Sequence, residues 1–191
     1  TWKYAGAVAV GTSVVFPPNN EDNVGVLDTT TSTFSTIDTT AAGVSADSKY
    51  NGAASVGTSV FFAPKNEDNV GVLDTTTSTF STIDTTAAGV SADRKYSGAV
   101  AVGTRVFFAP FYADNVGVLD TTTSTFSTID ITAAGVTAAG KYMGAAAVGT
   151  SVIFVPYFED NVGVFDATTS TFSTIDITAA GVTDDYKYNG A

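Results

Sequence analysis

The string DNVGVLDTTTSTFSTID occupies residues 22–38 and returns unchanged at 68–84 and 114–130. A fourth copy at 160–176 departs from it only at Phe165 and Ala167. Two short runs of β-branched and apolar residues, NVGVL and TFSTI, flank a cluster of Asp, Thr and Ser, which is the pattern of two strands joined by a turn. The carboxylate of Asp28, and of Asp74, Asp120 and Asp166 after it, can accept hydrogen bonds from the amides that follow it, so these four acids are read as turn-forming residues.

Outward from this string, Lys-Tyr pairs begin at Lys3, Lys49, Lys95, Lys141 and Lys187, each 46 residues after the last. The chain is therefore read as one repeat domain, 1–191, made of units 3–48, 49–94, 95–140 and 141–186 with a partial fifth unit at 187–191. A period in the forties excludes a coiled coil and is about twice what one rung of a β-solenoid needs; it is the length of a four-stranded propeller blade. No spacer rich in Pro, Gly or Ser interrupts it.

In the third unit four apolar runs stand between turn residues. Strand a spans Tyr96 to Val102, b Arg105 to Ala109, c Asn115 to Leu119 and d Thr125 to Ile131. Gly103-Thr104 is a two-residue hairpin signal between a and b. Strand a is made of small residues, b and c are apolar throughout, and d alternates Phe126 and Ile129 with Ser127, Thr128 and Asp130. Small residues suit a crowded axis, continuous apolar runs suit strands covered on both faces, and a half-polar strand suits an edge. The order a to d thus runs from hub to rim. The fold class that follows is an all-β propeller of four antiparallel, four-stranded blades.

The run VFFAPFYADNVGVLDTTTSTFSTI, followed by GAAAVGTSVIF, resembles the YVTN-type surface propeller repeat, with its V-x-V-x-D-x-x-T turn and V-x-x-I strand. It is also similar to the kelch repeat. Ala109-Pro110 stands where kelch has a Gly pair, and Phe126 where kelch has Trp. The resemblance implies a propeller fold across the whole chain and brings no catalytic motif with it.

A propeller can have as few as four blades, and the small residues of strand a favour a ring closed by four. TWKYAGA at the start and KYNGA at the end both spell strand a, however. Three arrangements remain open from sequence: a closed four-bladed ring with one duplicate strand displaced, a window of a longer array, and two chains joined into eight blades.

Composition limits the chemistry. A formal charge of −11 disfavours nucleic acid and anionic membranes. There is neither Cys nor His, so disulfides, thiolate metal sites, thiol nucleophiles and the commonest general base are absent from the chain. No apolar run approaches the roughly 20 residues of a membrane span, and the N-terminal residues do not read as a signal peptide; membrane insertion is not expected, and the chain is expected to be soluble or already processed. Asp22, Asp68, Asp114 and Asp160, with Glu21, Glu67 and Glu159, could offer oxygens to a cation, but no calcium-loop pattern accompanies them and turn chemistry is the expected role. Symmetric acids in like environments are not the unlike pair that a glycosidase needs. The expectation is a non-enzyme without metal or cofactor. No N-x-S/T sequon occurs.

Among the connections, the a–b turn never changes and the c–d turn changes only at Ala167, so the variation lies in the other two. The b–c loop reads Asn19-Asn20-Glu21, Lys65-Asn66-Glu67, Phe111-Tyr112-Ala113 and Tyr157-Phe158-Glu159; the d–a loop ends at Ser48, Arg94, Gly140 and Tyr186. In an up-and-down blade these two loops emerge on one face, which makes that face the candidate for binding. Phe111, Tyr112, Tyr157, Phe158 and Tyr186 are its candidate binding residues. Aromatic loop residues stack on sugars, anchor a protein, or pack on one another. The functional expectation is a structural or interaction scaffold that self-associates or binds a protein through this face, with a glycan-binding lectin as the alternative. Lys3, Lys49, Lys95 and Lys141 are expected to pair with nearby Asp at the surface. The acidic, Thr-rich composition and the YVTN resemblance point to an extracellular or cell-surface location.

Overall fold

In the computed structural model, which describes residues 2–190, each 46-residue unit forms one antiparallel sheet. The first comprises β1 (Val8–Val10), β2 (Ser13–Phe16), β3 (Asn23–Asp28) and β4 (Thr33–Asp38), hydrogen-bonded in that order. The second comprises β5 (Tyr50–Val56), β6 (Ser59–Pro64), β7 (Asn69–Asp74) and β8 (Thr79–Asp84). The third has β9 (Tyr96–Val102), β10 (Arg105–Pro110), β11 (Asn115–Asp120) and β12 (Thr125–Asp130), and the fourth β13 (Tyr142–Val148), β14 (Ser151–Pro156), β15 (Asn161–Asp166) and β16 (Thr171–Asp176). The chain is all-β, and its four sheets are propeller blades. After strand d each chain segment makes a short 3-10 turn, as at Thr40–Ala42, closed by a glycine in the left-handed region, as at Gly43.

Register within a blade follows from one glycine and three rings. Gly117 in β11 pairs with Phe108 and Thr128. A Cβ there would lie 2.9 Å from both Phe126 and Tyr96, so its bare backbone makes room for the rings of strands a and d. Tyr96, Phe108 and Phe126 pack with centroids 5.9 to 6.3 Å apart. The Tyr96 hydroxyl donates to Asn115 Oδ1, so the ring is buried with its polar end satisfied. The same arrangement recurs in every blade, as with Tyr50, Phe62, Phe80 and Asn69.

Neighbouring blades bury apolar faces of two unlike kinds against each other. Blade 2 presents Tyr50, Val60, Phe62, Leu73 and Phe80 to Val15, Val24, Val26, Ile37 and Val44 of blade 1. Blades 2 and 3 repeat the pairing, with Tyr96, Val106, Phe108 and Leu119 on Phe61, Val70 and Val90. Blades 3 and 4 repeat it again, with Tyr142, Val152, Phe154 and Phe165 on Phe107, Val116 and Val136. We call the Tyr/Phe side the front and the Val/Ile side the back.

At the hub, strand a of each blade approaches the next through a row of glycines. Gly6, Gly52, Gly98 and Gly144 all have positive φ, and a Cβ on Gly98 would lie 2.6 Å from the Gly144 Cα. The small residues of strand a therefore do serve a crowded axis. The row does not close on itself: a Cβ at Gly190, next in the series, meets nothing within 4 Å. β1 packs on β5, β5 on β9 and β9 on β13, and among the described residues no comparable packing joins β13 to β1. Of the arrangements left open by the sequence, the described residues form an open arc and not a closed four-bladed ring. Glycine permits the close approach between successive strands.

Candidate functional site

The b–c and d–a loops meet on one side of the arc. Asn20 shows how they are joined: its Nδ2 donates to the Trp2 carbonyl, and its Oδ1 accepts from the Ser48 amide. Asn66 does the same between Asp47 and Arg94. One amide side chain thus ties each b–c loop to the loops that enter and leave its blade. At the equivalent positions of blades 3 and 4 stand Tyr112 and Phe158, which have no such group. Tyr112 N donates to Arg94 O and Phe158 N to Gly140 O, as Asn20 N does to Trp2 O, so the backbone contact is kept there and the side-chain tie is lost.

Freed of that role, the rings form a continuous cluster. Phe111 meets Tyr112 at 5.0 Å and Tyr157 at 5.8 Å between centroids. Tyr157 meets Phe158 at 4.9 Å and Tyr186 at 5.2 Å, both edge to face. Phe158 covers Gly140, filling the space a Cβ would take. The five aromatic residues named from sequence are all in this cluster, which packs internally yet keeps its outer members in water: Tyr112 is 39 % and Tyr186 66 % exposed. With Trp2, Lys65 and Arg94 they border a concavity of about 410 Å³. The Arg94 guanidinium lies 5.6 Å from the Tyr112 ring centroid, a cation–π contact. Burial, and secondarily the nearby Arg94 charge, push the Lys65 ammonium below its usual pKa. Arg94 and Lys65 were not named as site residues, although both stand at positions where the four copies differ.

Beneath this face the acids set aside as cation ligands are engaged elsewhere. Lys49 pairs with Asp22 at 3.0 Å, Lys95 with Asp68 at 3.0 Å, Lys141 with Asp114 at 2.9 Å and Lys187 with Asp160 at 3.0 Å. Each pair links a blade to the strand that follows it. These lysine side chains are 1 to 2 % exposed while the Asp partners stay about half in water, so the expected surface pairing is corrected for Lys49, Lys95 and Lys141. Lys3 alone is exposed, and its partner is Glu21. Glu67 Oε1 accepts from the Ser45 and Ala46 amides, and Glu159 Oε1 from the Ala138 amide, which anchors the preceding d–a loop in each case. None of these groups has sequence neighbours that announce its burial; only the packing of the next blade encloses it.

On the opposite side are the c–d turns. Asp28 Oδ1 accepts from Thr30 N at 2.8 Å and from the Thr30 hydroxyl, and Asp74, Asp120 and Asp166 accept from the amides of Thr76, Thr122 and Thr168. Hydrogen bonds from the Thr hydroxyl and then the amide hold Asp28, Asp74 and Asp120 below the usual carboxylate pKa. At Asp166, followed by Ala167, the backbone bond is the chief cause. A second set, Asp38, Asp84, Asp130 and Asp176, accepts in the same way from the Thr two residues on. The recurrent Asp-x-Thr was the signal for this second set, which sequence reading left inside or beside strand d.

No known protein family matches the sequence, and no curated protein does. Solved structures do match in shape. Hydrazine synthase of Kuenenia stuttgartiensis aligns at 14 % identity and a TM-score of 0.62, over 91 % of this chain and 49 % of that one. The WD40 repeats of RRP9 align at 8 % identity and 0.69, over 91 % and 51 %. The computationally designed Ika8 protein aligns at 12 % and 0.60, over 88 % and 47 %. The shared feature is the β-propeller fold. The chain spans about half the length of these structures or less.

Proposed function

We propose that the chain is a non-catalytic interaction scaffold, one repeat domain whose b–c/d–a loop face binds a protein partner. The observation that carries this reading is the aromatic cluster of blades 3 and 4, half in water around a concavity, at positions where blades 1 and 2 use asparagine to tie loops together. A sequence that replaces a loop-tying amide by exposed rings gives up hydrogen bonds for contact surface. Rigid aromatic groups beside an arginine are the side chains that dominate protein interfaces. The WD40 repeats of RRP9 and a chain of the mitotic checkpoint complex are among the structures of similar fold, which supports reading the fold as a platform for protein contacts.

A glycan-binding lectin is the second reading. It is favoured by the mixture of ring faces with the polar groups of Lys65, Asn66 and Arg94 around the same concavity, since sugars are held by stacking combined with hydrogen bonds. The test is the double variant Tyr112→Ala/Tyr157→Ala. It is expected to lose a partner captured by the unaltered chain, or a hit on a glycan array, while its melting temperature falls only slightly. A large drop in melting temperature with no lost binding would make the cluster a packing feature and end both readings.

A further inference from the structure

The three blade interfaces are built from one repeated pair of faces, which leaves one face of each kind open at the ends of the arc. Blade 1 exposes its front. Tyr4, Val14, Phe16 and Leu27 are only partly buried, whereas their counterparts in blades 2 to 4 are fully buried, and Phe34 is 55 % exposed. Blade 4 exposes its back. Ile153 and Val162 are partly buried, Ile175 is 58 % exposed and Val148 68 % exposed. A front without a back and a back without a front are complementary.

We propose that two copies of this chain close head to tail into one eight-bladed ring, the front of blade 1 in each copy covered by the back of blade 4 in the other. Such a contact is heterologous, and it makes a finite ring only if the curvature closes after two copies. The arc superposes over about nine-tenths of its length on about half of the RRP9 and hydrazine synthase chains, the share expected if one ring takes about twice this chain. The residues at the joint fit as well. Between blades 3 and 4 the faces carry a private set of changes. Arg105 reaches the Ala167 carbonyl, and Phe107 packs on Phe165 at 5.3 Å. The open ends carry none of these: blade 4's back has Ser151 and Ile153, and blade 1's front has Leu27 and Thr29. Ser151, Leu27 and Thr29 match Ser13, Leu73 and Thr75 at the joint of blades 1 and 2, and Ile153, another β-branched residue, stands in the place of Val15.

One segment stands in the way. Residues 187–190 occupy the start of a fifth strand a. Lys187 N donates to Tyr157 O, Tyr188 N to Pro156 O and Gly190 N to Met143 O, and Lys187 Nζ pairs with Asp160. Lys49, Tyr50 and Gly52 make the same bonds to blade 1. The second copy offers Lys3, Tyr4 and Gly6 for that slot, and Lys3 is the one lysine of the series left in water. Ring closure therefore displaces the chain's own residues 187–190, which compete with it.

Sedimentation equilibrium of the full chain over a wide concentration range is expected to show a species of twice 19.5 kDa and nothing larger. Phe34→Glu and Ile175→Glu, both at exposed positions, are each expected to abolish it without altering the circular dichroism of the chain. Combining Phe34→Glu with Ile175→Lys should restore association in part, because each joint then pairs opposite charges. Lys187→Glu should shift dimer formation to lower protein concentration by weakening the competing segment. Tyr112→Ala/Tyr157→Ala, which tests the loop face, should leave the mass unchanged, so the two readings can fail separately. A strictly monomeric chain, open-ended growth in mass, or a dimer indifferent to Phe34→Glu would overturn the proposal.

Discussion

Blades 1 and 2 are close copies, yet they do not share an environment. SVVFPPNNEDNVGVLDTTTSTF in the first and SVFFAPKNEDNVGVLDTTTSTF in the second differ at three positions. Phe62 and Leu73 are fully buried in blade 2, while Phe16 and Leu27 in blade 1 are only partly so. Lys95, which follows blade 2, is buried against Asp68, while Lys3, which opens blade 1, stands in water against Glu21. The cause is a neighbour: blade 2 has a back laid on its front, and blade 1 has none within the chain. In a repeat protein the energy of a residue belongs to the interface between units as much as to the unit.

The sharpest way to break this comparison is truncation of equivalent rings. Phe62→Ala is expected to cost about 3 to 5 kcal/mol, as fully buried phenylalanines do, and Phe16→Ala about 1 to 2 kcal/mol because less area leaves contact. Urea unfolding of the two variants checks it, and equal losses would mean that the front of blade 1 is covered in solution. Next come the ion pairs. Asp68→Ala strands the buried Lys95 ammonium and is expected to cost about 2 to 3 kcal/mol, below the value for a wholly buried pair because Asp68 is half in water. Glu21→Ala, removing the partner of exposed Lys3, should leave the urea midpoint unchanged.

Smaller effects follow from titration. Burial raises the phenol pKa of Tyr50, Tyr96 and Tyr142 well above the ordinary value of about 10. Their contribution is complete below that ordinary value and is lost as pH rises toward the folded value. The turn acids are depressed, so theirs is present above about pH 3.9 and is lost as pH falls through the folded value. Melting temperature against pH is expected to be flat between these limits and to fall at both ends. Tyr96→Phe should shift the alkaline limb more than Tyr4→Phe, because Tyr4 is the less buried ring. The smallest effect is local: Asp120→Ala should speed amide exchange at Thr122, which loses its acceptor, and leave the neighbouring blades unaffected.

Much of the architecture is legible in the sequence. The third unit's strands were placed within one residue at each end, because turn chemistry at Gly103-Thr104 and Asp120 punctuates β-branched runs whose period is unambiguous. The same logic leads to the aromatic loop residues, since the a–b and c–d turns are held almost constant and the b–c and d–a loops that vary are free of that duty. Asn20 and Asn66 escaped notice. Their hydrogen bonds span as many as 28 residues, and nothing in the local sequence marks an asparagine as a tie between loops. Lys95 was placed at the surface for a similar reason: its burial depends on a partner 27 residues away and on the blade that closes over it.

By itself the sequence determined whatever repeats with its own period: 46-residue units, four strands in each, the turns between them and the face on which the loops vary. Those features depend on contacts within one blade, where every copy has the same neighbours. Tertiary structure decided what depends on the unit next door: which of five equivalent lysines and four equivalent phenylalanines is buried, and whether the glycine row closes. Identical segments carry no information about their order in an arc, and only the stacking of one blade's front on another's back separates an inner copy from an end.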